Sequence, residues 1–261
     1  AESGKKQNFK KEGPRYMKKR ILSLALSAAM ALTMLPTGAF AASDKGKPPV
    51  YNKATGCYEI STPDQLLYLS GSWRDGAPRD GHYVLTADID MTGVKGFKPI
   101  ASKKDQGFTG TFDGQFHAIK GLRVEYEKKY AGLFGYVGNQ DDQAYIKDVA
   151  LLDCYVTGQQ NVGALAGVNY GTITGCAVTG EVKCLDLSNS HTAGGICGKL
   201  KEGEGPIVGH VEDCYVNADV SAPYDAGGVA GIQDGGGYMI QSSYSFVDES
   251  NRLVCPTSNN H

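Results

Sequence analysis

Five histidines, His82, His117, His191, His210 and His261, and seven cysteines are the side chains of this 261-residue chain best able to hold a metal or carry a nucleophile. A zinc peptidase needs two histidines four apart on a helix with a glutamate between them, and no two of these histidines have that spacing. The cysteines, Cys57, Cys154, Cys176, Cys184, Cys197, Cys214 and Cys255, contain no C-x-x-C pair. No metal and no cofactor is therefore expected. Their odd count leaves at least one thiol free even in an oxidising compartment. Asp88 and Asp90 flank Ile89, so a strand would turn both carboxylates to one side. Such a pair can bind calcium or act on a sugar, but it is more often a solvated strand face. Asp113 before Gly114 reads as a turn residue. No catalytic residue is assigned.

Positioning these residues requires an element pattern, and the pattern is a repeat. Glycine-bracketed blocks recur as AGLFGYV from Ala131, VGALAGV from Val162, AGGICGK from Ala193 and AGGVAGI from Ala226. Their closing glycines, Gly135, Gly167, Gly198 and Gly231, lie 32, 31 and 33 residues apart. Between them a second block recurs as IKDVAL, ITGCAV, VEDCYV and IQSSYS, starting at Ile146, Ile173, Val211 and Ile240. Two strand-like pieces per period predict an all-β fold, a parallel β-solenoid with coils of about 32 residues in which equivalent positions stack about 4.8 Å apart. Helical repeats of similar period need long runs with apolar spacing of three and four and few glycines, and no period contains one.

Stacking assigns roles to positions. Leu133, Leu165, Ile196 and Val229 form one expected inward column, and Ile146, Ile173, Val211 and Ile240 another. Val149, Cys176, Cys214 and Ser243 lie beside the second. Cys176, Cys197 and Cys214 occupy slots filled elsewhere by small apolar residues, which reads as buried packing. Glycine is expected at the corners, through positive φ or close backbone approach. Outward positions run Ala150, Ala177, Tyr215 and Tyr244, and the tyrosine pair is the candidate ligand-binding face, since each ring joins an apolar surface to a hydrogen-bonding tip. Ordinary pairing on an outer strand face is the plainer alternative.

Ahead of the repeats, STPDQLLYL places Thr62 as N-cap, Pro63 at the first helical position and Gln65 three after the cap, a capping box before Leu66, Leu67 and Leu69. A short helix there would cover the first coil. HYVLTADIDM and GFTGTFDGQFHAIKGLRV read as strands with a tight turn at Asp113 and Gly114. Further upstream, Met17 begins a basic start, an apolar run and the small residues Ala39 and Ala41, the pattern of a secretory signal peptide cut after Ala41. A spanning helix needs about 20 apolar residues, and Pro36 and Gly38 break this run. Residues 1–16 are read as an upstream segment outside the fold, 17–41 as the leader, 42–125 as capping region and first coils, 126–246 as repeats and 247–261 as a tail or incomplete coil. Past residue 41 the chain keeps 18 Lys+Arg against 26 Asp+Glu, a net charge of −8. That argues against nucleic acid, whose binding needs a basic footprint.

The succession YEISTPDQLLYL, LTADIDMTG, FTGTFDGQFHAIKGL and AGLFGYV resembles the start of the GLUG-repeat proteins of bacterial surfaces, with Gly132, Leu133, Phe134 and Gly135 as the Gly-Leu-x-Gly core. Later repeats depart from it, with Ala164, Gly195 and Gly228 at the leucine position. The resemblance spans roughly residues 51–246 and implies a secreted or cell-surface β-solenoid, adhesin-like, of a kind also found in the N-terminal regions of immunoglobulin-A-cleaving zinc endopeptidases. The expected function is non-catalytic binding to a glycan or to a host or extracellular protein. The alternatives are a carbohydrate-active β-helix enzyme, or a spacer region of a longer surface peptidase.

Overall fold

The computed structural model describes residues 46–71, 77–187, 191–204, 206–235 and 239–246, with the backbone of 253–254. The upstream segment, the leader and most of 247–261, Cys255 included, lie outside the described residues.

The chain is mostly β, and nearly all of its strand pairing is parallel. One eight-stranded sheet runs, in spatial order, through Val50–Asn52, Cys57–Ile60, His82–Leu85, Thr111–Asp113, Tyr145–Lys147, Thr172–Thr174, His210–Glu212 and Ile240–Gln241. A second follows the order Ile89–Asp90, Ala118–Lys120, Ala150–Gly158, Ala177–Cys184, Tyr215–Ser221 and Tyr244–Ser245, with Arg123–Glu125 and Leu253–Val254 as side branches. Two four-stranded sheets complete the architecture, one built from Lys129–Ala131, Gln160–Gly163, Thr192–Gly194 and Asp225–Gly227, the other from Phe134–Val137, Ala166–Asn169, Cys197–Lys201 and Ala230–Asp234. Each period of the sequence thus gives one strand to each sheet. Among the described strands only the first pair, Val50–Asn52 with Cys57–Ile60, is antiparallel, beside an isolated antiparallel bridge between Glu202 and Val208.

The register matches the repeat alignment. Ile146 pairs with Ile173, Ile173 with Val211 and Val211 with Ile240. The column also extends upstream through Phe112, Tyr83 and Tyr58. Backbone bonds link Phe134 N to Leu165 O, Leu165 N to Ile196 O and Ile196 N to Val229 O. Apart from the exposed Ile240, the apolar side chains of these columns merge into one core running from Ile60 to Met239. Near its start the core is aromatic, with Tyr58 stacked on Tyr83 at 5.2 Å and Phe108 against Phe134 at 5.0 Å between ring centroids.

The helix Pro63–Leu69 forms where its capping box predicts. Gln65 N donates to Thr62 Oγ1 at 3.3 Å, and Gln65 Oε1 accepts from Thr62 N at 3.2 Å. Leu66, Leu67 and Leu69 are buried in the same core.

The tight turn expected at Asp113 and Gly114 is present and forms a corner between two sheets: Thr111–Asp113 pairs with His82–Leu85 and Tyr145–Lys147, whereas Ala118–Lys120 pairs with Ile89–Asp90 and Ala150–Gly158. One expectation needs correction, that glycine fills the corners, because the structure separates two corner mechanisms. The corner after each Ile146-type strand is left-handed, with φ of 52° at Asp148, 64° at Gly175, 50° at Asp213 and 45° at Ser242, so glycine fills only one of four. Asp tolerates this region through local hydrogen bonding. At Gly163, by contrast, a Cβ would lie 2.3 Å from Ala166 O and 2.4 Å from Cys197 Cα, so close approach of the neighbouring period excludes any side chain.

Candidate functional site

Tyr215 and Tyr244 are in register on the outer face of the second sheet, continuing the column Ala118, Ala150 and Ala177. Their positions differ. Tyr215 is half-buried and packs against the sealed cluster of Ala118, Ala150, Leu152 and Ala177. Tyr244 is 39% exposed, and Phe246 two residues on is exposed as well. Tyr215 therefore carries the packing role that was the plainer alternative for this face. Farther along the same face, the Arg123 guanidinium lies 4.2 Å over the Tyr155 ring and grips Glu125 through bonds of 2.9 and 2.8 Å. The hydrogen bond from Arg123 holds the Glu125 carboxyl below its usual range.

The carboxylate pair is dispersed into structural duties. Asp88 Oδ1 accepts from Ala118 N at 2.9 Å and meets His117 Nδ1 at 3.1 Å. Asp90 Oδ1 accepts from Thr92 N at 2.9 Å, closing a turn. Asp113 does what its turn position predicts, accepting from Gln115 N at 2.9 Å, and it also pairs with Lys147 at 2.7 Å. Among the described residues no cluster of His, Cys, Asp and Glu is arranged to hold a metal.

All but one of the described thiols are interior, Cys57 being half-buried. Cys154, Cys176, Cys184, Cys197 and Cys214 are buried and free. Burial pushes Cys154 up to about 12 and Cys184 to about 11, and raises Cys176 well above the ordinary thiol value. Cys176 Sγ donates to Thr174 O at 3.2 Å and Cys214 Sγ to Glu212 O at 3.1 Å, equivalent bonds in successive periods.

Two grooves of opposite charge flank the sheets, and neither was visible in the sequence. One, of about 870 Å³, is lined by Asp80, Asp141, Asp142 and Glu204 with Arg79 among them. It forms where Glu204 N donates to Gln140 O at 2.9 Å and Asn139 Oδ1 accepts from Asp141 N and Asp142 N at 2.7 and 2.8 Å. The other, of about 1090 Å³, brings Lys98 and Lys103 from one loop together with Lys128 and Lys129 at the start of the strand Lys129–Ala131, with Tyr126 and Tyr130 also in its lining. The lysines of each pair are close in sequence, but only the fold brings the two pairs together.

No family model matches the chain. It is 32% identical over 151 residues to "Halomucin" of Haloquadratum walsbyi, covering 54% of this chain and 2% of that protein. It is also 32% identical over 106 residues to a "Putative Gly-rich membrane protein" of Evansella cellulosilytica, covering 37% of this chain and 12% of the relative. Among solved structures, a "putative immunoglobulin A1 protease from Bacteroides ovatus" superposes with a TM-score of 0.60 at 25% identity, over 73% of this chain and 57% of that one. The chain thus spans a small part of its sequence relatives and about half of its structural neighbour.

Proposed function

We propose that this chain is a β-solenoid binding module of a secreted or cell-surface protein, holding an extended glycan or an extracellular protein against its outer faces without turning it over. The observation that carries this reading is the in-register parallel stacking of successive periods in four sheets. Such stacking repeats each outward position at a fixed interval, and a polymer bound along it needs only modest contacts per period. The two sequence relatives, one of them a membrane protein by name, support a surface or membrane-associated location. Catalysis would need an acid and a base held together over a substrate, and Asp88 and Asp90 are instead committed to backbone amides.

The tyrosine face contributes to binding in this reading. Each ring adds about 0.5 to 1.5 kcal/mol beyond buried area, so Tyr215→Ala with Tyr244→Ala weakens polymer binding roughly tenfold. Tyr244→Ala alone, at the more exposed ring, separates binding from packing. The experiment is an array of glycans and matrix proteins probed with both variants, beside a product assay on every polysaccharide that binds. Steady release of oligosaccharide would favour the carbohydrate-active enzyme, and equal binding by all three proteins would remove the tyrosine face. A spacer role in a longer surface peptidase is the second reading, favoured by the structural neighbour, of which this fold covers 57%.

A further inference from the structure

We propose that the groove lined by Lys98, Lys103, Lys128 and Lys129 is a binding site for an acidic polysaccharide, one that carries carboxylates on its sugars. The inference rests on the adhesion reading above and supplies its ligand class.

Surface lysines are ordinarily scattered and solvated, so convergence is the informative feature. Here two separate segments set four ammonium groups around one concavity of about 1090 Å³. The described ion pairs of this chain involve Lys147, Lys183, Lys199 and Lys201 and none of these four. On the carboxylate side, Glu125 is engaged by Arg123, which leaves Glu127 as the one acidic lining residue facing four cations. Past residue 41 the chain carries a net charge of −8, so its general field repels an anion while the groove attracts one. Concave, low-dielectric walls focus such a local field.

The walls are fixed in advance. Lys98 N donates to Ser70 Oγ at 2.7 Å, where Ser70 closes the helix Pro63–Leu69. Tyr126 N donates to Thr157 O and Lys128 O accepts from Gln159 N, both at 3.0 Å. Lys129–Ala131 is an edge strand paired on one side with Gln160–Gly163. A site whose backbone is already held loses little freedom on binding.

The ligand chemistry follows from the lining. Lysine is a compact point charge that suits single carboxylates, whereas bidentate oxyanion recognition favours arginine, and the nearby Arg123 is occupied by Glu125. Tyr126 and Tyr130 are half-buried, the first packed against the core and the second with its ring 4.8 Å from that of Tyr136, so they offer a sugar a fixed aromatic wall beside the lysines. A duplex nucleic acid, with one charge per about 1.7 Å of axis, would meet the repulsion of the remaining acidic surface.

The probe is polygalacturonate, with uncharged dextran and duplex DNA as comparators, titrated into the full chain and into the quadruple variant Lys98→Gln, Lys103→Gln, Lys128→Gln, Lys129→Gln. All four side chains are exposed, and a thermal melt confirms that the variant stays folded. The expected result is polygalacturonate binding that weakens at least tenfold in the variant, and that weakens between 0.05 and 0.5 M salt in the wild type only. Equal affinity in wild type and variant, dextran binding as tight as polygalacturonate, or tighter binding of DNA would each overturn the proposal. Array ligands held equally by wild type and variant would leave the adhesion reading standing while this inference fell. Failure of every polymer to bind would remove both.

Discussion

Leu133, Leu165 and Ile196 are fully buried, whereas Val229, in the same slot one period later, is only partly so. The second inward column repeats the contrast: Ile146, Ile173 and Val211 are sealed, and Ile240 is 39% exposed. The same residue types occupy equivalent positions, so the difference comes from the neighbours. In the middle periods each side chain has a stacked partner before and after it. Ile240 has Val211 on one side, and no strand among the described residues lies on its other. The first end is different again. There the core meets aromatic rings, a capped helix and an antiparallel pair, elements that differ from those they close. An inward residue in this architecture therefore owes part of its burial to the period stacked beside it.

The comparison breaks most readily at the inward columns. Ile173→Ala opens a cavity between two fixed neighbours and should cost about 2 to 5 kcal/mol. Ile240→Ala, at a position still wet in the folded chain, should cost about 1 kcal/mol or less. Urea unfolding of the two variants measures the difference, and equal losses would show that the last described period is packed as tightly as the middle ones.

A second contrast lies between the two kinds of glycine. Gly163→Ala drives a methyl into backbone of its own turn and of the next period, an overpacking cost of about 1 to 3 kcal/mol or more. Gly175→Asn meets a different obstacle. Its Cβ would approach Asp148 Oδ1, the movable end of a side chain, and asparagine accepts the left-handed φ that Asp148 and Asp213 already adopt. That substitution should stay within about 1 kcal/mol. Melting temperatures that fall equally would mean that conformation, and not close approach, sets the glycine positions.

Alkali should also destabilise the chain through its buried thiols. Burial raises the Cys154 thiol to about 12, against about 8.5 in an unfolded chain. Between these values the unfolded chain binds fewer protons than the folded one, so stability falls as pH rises, by about 1.4 kcal/mol per pH unit for such a thiol. Below about pH 8 the term is absent. Denaturant midpoints taken from pH 7 to 11 on wild type and Cys154→Ser measure it, and a flat wild-type profile above pH 9 would contradict it.

How much of this could be read beforehand depends on what repeats. The columns from Leu133 and Ile146 onward were legible because apolar residues recur at a near-constant interval. Their upstream continuation through Tyr58, Tyr83, Phe112 and Ile146 was not, since those steps are 25, 29 and 34 residues long and aromatic rings replace aliphatic chains. Buried polar ties were equally silent. Asn169 is fully buried, donating to His210 O at 3.0 Å and accepting from Gly171 N at 2.9 Å. Thr192 Oγ1 reaches Asn161 Oδ1 at 3.0 Å. Asn161 and Thr192 are one period apart, beside the paired Val162 and Ala193, but their different residue types hide the repeat, and no periodicity marks Asn169 with His210, because such ties satisfy groups that only folding brings close. The candidate sites divide in the same way: the tyrosine pair follows from register, and the lysine groove from the meeting of two separate segments.

The smallest effect is expected where the middle periods carry their least typical residues. Cys176 and Cys214 lie in a column headed by Val149 and continued by Ser243, and all three of Val149, Cys176 and Cys214 are buried. Their thiols donate to Thr174 O and Glu212 O, and a thiol is a weak donor whose loss leaves carbonyls with little to regain. Valine matches the slot in volume and polarity, as Val149 shows in the adjoining period. Cys176→Val and Cys214→Val should therefore each change stability by less than about 1.5 kcal/mol, well below the loss at Ile173 in the same layer. Both thiols are free, so the unfolding midpoint of the wild type should be the same with and without reductant. If either variant loses several degrees in melting temperature, and reductant removes the difference, the two sulfurs are bonded in solution and the column owes its order to a crosslink.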